Sequence, residues 1–127
     1  MCQQERFINC CKSKQFVQDK ICNHFTATGA DEVGSTVVYA SSTNQVIYAS
    51  GWFKNEGRFP LTVQFVRGAD PITGSGGVIA RQAIVPIEGS SLFTVSKFDT
   101  IRVFAVGATS EFTGSGEFCI TPRYAIR

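Results

Sequence analysis

Leu61-Thr62-Val63-Gln64-Phe65 decides the fold class: three apolar side chains alternate with two polar ones, the period that puts one set on a core and the other toward solvent. It predicts a half-buried β-strand. Toward the C-terminus, Gly68 to Gly77 is the longest glycine-rich loop. Its Gly74-Ser75-Gly76-Gly77 has the composition of a phosphate cradle, but such cradles open a helix and this loop joins two strands, so a plain flexible connection is expected. Val78 to Val85 is a further strand, stopped by Pro86 and the Glu88-Gly89 turn; Ser91–Val95 and Thr100–Val106 follow. Thr113-Gly114-Ser115-Gly116 turns the chain into a last strand running to Tyr124. In that strand Pro122 lacks a ladder N–H and predicts local irregularity or an edge. Toward the N-terminus, Asn55-Glu56-Gly57 is a turn, preceded by strands over Val46–Phe53 and Thr36–Ala40. Phe16 to Phe25 is the first strand, with Val17, Ile21 and Phe25 on one face and Lys20, Cys22 and His24 on the other. About eight strands, no stretch reading as a three-turn helix, no repeat and no heptad predict an all-β, eight-stranded sandwich or jelly roll.

Residues 1–15, MCQQERFINCCKSKQ, follow neither a strand nor a helix period and hold three of the five cysteines. They read as a flexible N-terminal arm, with residues 16–127 as the single β domain. Adjacent cysteines pair with each other only in a strained ring, so Cys10 and Cys11 are expected to look to two different partners. The body offers Cys22 and Cys119, each in a predicted strand. With Phe118 and Ile120 inward, Cys119 faces out, as Cys22 does. These sulfurs suffice to staple the arm onto its own body or onto another subunit's. Phe7, apolar in a polar arm, would help to seat it in a groove.

At 127 residues and 43% hydrophobic, the chain buries a core without needing disulfides or metal, so the cysteines need another explanation. Charged residues are only 17%, which suits a protein hiding surface in an assembly. The net charge of +2 comes from scattered Lys and Arg, which argues against a nucleic-acid partner. No run of eighteen apolar residues occurs, and the first twenty-five residues contain Gln, Glu, Arg, Lys and Asp without an apolar h-region. Neither a membrane span nor a signal peptide is expected. The cysteine content nevertheless suits an oxidising place, a tension that late oxidation after cell lysis, or a metal, would resolve.

Catalysis is poorly served. His24 is the only histidine, so neither a His-centred triad nor a multi-His metal site can be built in one chain. A Cys22–His24 dyad would lack an orienting group and an oxyanion loop. No catalytic residue is assigned, and no enzyme is expected. Cys10, Cys11, Cys22 and Cys119 could supply four thiolates to zinc, but no Cys-x2-4-Cys pair occurs, and adjacent cysteines chelate one tetrahedral ion awkwardly. No metal or cofactor is expected. Trp52 and Tyr48 could line a sugar-binding face, against the plainer reading of core or interface packing.

Phe7-x2-Cys10-Cys11-x10-Cys22 near the N-terminus and Gly116-x2-Cys119-x4-Tyr124 near the C-terminus resemble the signature of the bacterial endospore appendage (Ena) subunit family. The wording Phe16-Val17-Gln18-Asp19-Lys20 and Gly116-Glu117-Phe118-Cys119-Ile120-Thr121 looks like its staggered, helical S-type members. The resemblance implies an eight-stranded jelly roll with a flexible N-terminal connector. Subunits would join sideways, sheet edge to sheet edge, and each connector would reach an adjacent turn to form disulfides. Cys10 and Cys11 would be the connector thiols, Phe7 the connector anchor, and Cys22 and Cys119 the acceptors on other subunits. Partners would be copies of the chain, related appendage subunits and the spore surface, with no nucleic acid and no membrane. Its place would be outside the endospore, where oxidation needs no signal peptide. A carbohydrate-binding or viral-type structural jelly roll, or a zinc-thiolate β domain, is the rival reading.

Overall fold

The computed structural model describes residues 16–18, 20–31, 34–40, 47–70, 72–73, 75–109 and 111–125. They form nine strands: β1 Phe16–Gln18, β2 Ile21–Ala27, β3 Thr36–Ala40, β4 Ile47–Asn55, β5 Leu61–Arg67, β6 Val78–Val85, β7 Ser90–Phe98, β8 Thr100–Ala105 and β9 Gly114–Ala125. One sheet runs β1-β9-β4-β7, with β2 also on β9; the other runs β3-β8-β5-β6. Every pairing is antiparallel. Because β1 and β2 share one flank of β9, the nine strands fill eight rows, and the two four-row sheets make the expected jelly roll.

The first row is interrupted for a legible reason. β1 pairs Gln18 with Arg123, and β2 resumes at Ile21 opposite Ile120. Lys20 lies outside both strands, beside the stretch of β9 that holds Pro122, whose ring leaves it no N–H to donate. Pro122 marks an irregularity rather than an edge, since β4 pairs β9 on its other flank, Ala49 opposite Pro122.

Between the sheets lies an aromatic core. Phe53 and Phe118 stack with ring centroids 5.4 Å apart, while Phe65 meets Phe53 edge-on at 6.4 Å and Phe98 at 5.3 Å. All four are fully buried, and each such side chain is worth about 1.5–3 kcal/mol in apolar area removed from water. Phe25, partly buried, closes one end of the cluster against Phe53 and Phe118.

β5 departs from the half-buried strand its alternation predicts. Leu61, Val63 and Phe65 enter the core, but Thr62 and Gln64 are buried too, Gln64 to 1% exposure. The cause is a polar layer on the outer face of this sheet. Arg102 on β8, 3% exposed, donates from Nε to Gln64 Oε1 at 2.7 Å and from a terminal nitrogen to the Gly76 carbonyl at 3.2 Å. Gln64 Nε2 donates to Gln82 Oε1 at 2.6 Å. Gly76 belongs to the connection after β5, which therefore folds back over the sheet instead of hanging free. Its Gly68 amide donates to the Asp99 carboxylate at 2.9 Å, and its Asp70 amide to the Ser75 carbonyl at 2.9 Å. Gly77 has φ +82°, and a Cβ there would stand 2.6 Å from Val66 Cγ1; only glycine takes that position without strain.

Candidate functional site

β2 is an outermost strand of its sheet among the described residues, and its seven pairs with β9 fix what shares the outer face. Cys22 stands directly opposite Cys119, and His24 opposite Glu117. On the other flank of β9, β4 sets Trp52 opposite Cys119 and Lys54 opposite Glu117. Since Phe53, Phe118 and Ile120 fill the core, Trp52, Cys119 and Glu117 belong to the outer face by alternation.

The two cysteines are bonded to each other. Their α-carbons are 4.1 Å apart across a sequence separation of 97, the close approach of a non-hydrogen-bonded antiparallel pair. The sulfurs are not equivalent in access. Cys22 is exposed on the edge row, whereas Cys119, although on the outer face, is only 6% exposed, set between its partner strand and the half-buried Trp52. The outward placement expected of Cys22 is therefore found, but Cys119 is covered by its neighbours. Gly51, beside Trp52, lets β4 come this close: a Cβ there would lie 2.0 Å from the Cys119 carbonyl oxygen.

Next to the bridge is a polar cluster. His24 Nδ1 lies 3.2 Å from Glu56 Oε1, and its Nε2 lies 3.9 Å from Glu117 Oε2. One ligand atom from each of the three can be drawn within 4.8 Å of the others, a donor set a divalent cation could use. Its visible effect is to tie the turn after β4 to the β2–β9 pair. With Cys22 and Cys119 bonded to each other, the four-thiolate zinc set considered from sequence is not assembled from these two in this form.

Phe7, Cys10 and Cys11 lie outside the described residues. The sequence placed Cys22 and His24 on one face and found both body cysteines, but it missed that Cys22 and Cys119 face each other and that Glu56 and Glu117 flank His24. Those are register facts between the two ends of the chain, for which a single sequence carries no local signal.

The endospore appendage family model, Enas, matches residues 8–126. A solved structure described as "Bacillus endospore appendages form a novel family of disulfide-linked pili" is 35% identical, covering 95% of this chain and 99% of that one, with a TM-score of 0.72. The crystal structure of PirA, 22% identical over 81% of this chain and 93% of that one, has a TM-score of 0.53 and shares the fold alone. A search of curated proteins returned no match. With both the family model and the 35% identical structure spanning nearly the whole chain, this protein belongs to the endospore appendage family.

Proposed function

We propose that this chain is a structural subunit of a disulfide-cross-linked, pilus-like appendage fibre on the endospore surface, built from copies of itself and related subunits. The observation that carries the reading is a pair of sulfurs on an outer sheet face, one on an edge row and one on the row beside it, in a chain similar over 95% of its length to a subunit of disulfide-linked pili. It is a scaffold rather than an enzyme. Residues 1–15 act as the connector: Phe7 seats it, and Cys10 and Cys11 reach Cys22 and Cys119 on other copies. The body, residues 16–127, joins its neighbours sideways. The rows β1/β2, β7, β3 and β6 are outermost among the described residues; a sheet edge can template another strand, and a heterologous contact of that kind propagates instead of closing.

Non-reducing electrophoresis of assembled protein tests it. Without reductant, a ladder or material too large to enter the gel is expected; with reductant, the monomer. A Cys10→Ser/Cys11→Ser variant should still assemble, but its fibres should fall apart in hot denaturant. Fibres of that variant as resistant as the parent's would refute the connector role.

A further inference from the structure

A sulfur already bonded within its own chain cannot accept another chain's sulfur until that bond opens. We propose that the Cys22–Cys119 bridge is a thiol–disulfide exchange site with a fixed polarity: a cysteine thiolate from a second copy of this chain attacks Cys22 Sγ, and Cys119 leaves as the thiolate. This rests on the fibre reading only for the identity of the nucleophile. The incoming thiol first gives its proton to solvent. A sulfur–sulfur bond then forms to Cys22 Sγ while the Cys22–Cys119 bond breaks, its electron pair passing to Cys119 Sγ. One disulfide replaces another, so this exchange consumes no oxidant; a second inter-chain bond, from the freed Cys119 to the other connector cysteine, is a separate two-electron oxidation by dioxygen.

The polarity follows from position. Displacement at sulfur runs in line, so the nucleophile arrives from the side away from the leaving sulfur. The bridge spans from the edge strand β2 inward to β9. Attack on Cys22 therefore comes from beyond the sheet edge, where the side chain is exposed. Attack on Cys119 would have to come across β4, where Trp52 stands opposite it, and the Cys119 side chain is buried.

The site also discriminates between visitors. After exchange, Cys119 remains on a β-carbon facing Cys22 across the ladder, so its thiolate attacks the new bond and expels a thiol that nothing else holds. A thiol tethered by a docked neighbour returns at a high effective concentration and stays. Exchange thus selects for chains already seated in the lattice over free small thiols.

The test uses the full-length chain carrying Cys2→Ser, Cys10→Ser and Cys11→Ser, which leaves Cys22 and Cys119 as its only cysteines. Reduced glutathione is added, the reaction is stopped with acid at early times, free thiols are alkylated, and peptides are mapped. Glutathione on Cys22 with alkylated Cys119 should exceed the reverse by about tenfold or more. Trp52→Ala should bring that ratio to within about threefold of unity, while Trp52→Phe, which keeps a ring there, should retain it. Equal or reversed labelling, or two free thiols in the air-oxidised variant, would overturn the proposal. If the parent chain forms no cross-linked polymer and glutathione still enters at Cys22, the fibre reading falls and the exchange polarity stands.

Discussion

The outer faces of the two sheets differ although they enclose one core. On the β3-β8-β5-β6 sheet, Thr62, Gln64, Thr100 and Arg102 point away from the core and are still buried. On the β1/β2-β9-β4-β7 sheet the corresponding face is more open: Cys119 is covered, but Cys22 and Lys54 are exposed, and Leu92 on β7 is 81% exposed. The difference traces to the connections. The segment 68–77 between β5 and β6 is long enough to fold back and offer Arg102 a carbonyl, whereas the β6–β7 turn spans only Pro86–Gly89. A guanidinium taken out of water costs several kcal/mol unless its hydrogen bonds are replaced, so the roof and Arg102 require each other. The open face carries no such obligation, and its one covalent feature is the disulfide.

The contrast can be broken first at that disulfide. A Cys22→Ser/Cys119→Ser variant should lose about 2–4 kcal/mol of stability against urea, because the bond closes a loop across a sequence separation of 97. Reducing the parent should reproduce the loss and leave the variant unmoved. If reductant destabilises the variant as much, the stability does not come from this bond.

Removing the roof's anchor is the next largest perturbation. Arg102→Ala deletes the donors to Gln64 and Gly76, and a single hydrogen bond from a charged group is worth about 1.5–3 kcal/mol. Amide exchange should accelerate in residues 68–77 while Trp52 emission stays as in the parent. A change in Trp52 emission of the same size would show that the two outer faces are coupled and the contrast false.

Acid gives the smallest and most local effect. The Ile72 and Thr73 amides donate to the Asp70 carboxylate and hold its pKa below the ordinary 3.8. Because the folded-state value is the lower one, this contribution is present in full above the ordinary value and is lost as pH falls through the folded one. Amide exchange at Ile72 and Thr73, corrected for its intrinsic pH dependence, should be flat between about pH 5 and 8 and rise only below the ordinary carboxylate range. Asp70→Ala should raise it at neutral pH and make little difference in strong acid, where the parent has already lost the contribution.

The strand pattern was legible wherever alternation or a turn residue was strong: Leu61 to Phe65, Val78 to Val85 with its stop at Pro86, and the span ending at Tyr124 all became strands. The one-sidedness of β5 was misread because Thr62 and Gln64 look solvent-facing until Arg102, thirty-eight positions from Gln64, comes to lie beside them. The cysteine motif pointed to the family, but spacing alone could not show that Cys22 and Cys119 occupy one rung of a ladder. That requires the register of β2 on β9, which is set by the whole sandwich rather than by either strand.

The interruption between β1 and β2 has a consequence for how the body would carry tension. A pull entering through the N-terminal end would reach β1 first, held to β9 by only three residue pairs, and then Lys20, outside both strands. β1 can peel away under a modest force and lengthen the tether without disturbing β2. Beyond the break, β2 is held to β9 by seven residue pairs, and as long as Cys22 and Cys119 stay bonded to each other the load also passes covalently into β9. With three pairs against seven, the short first strand would be a shock absorber in series with a firmer stop: it would yield first, with the sandwich behind it still folded.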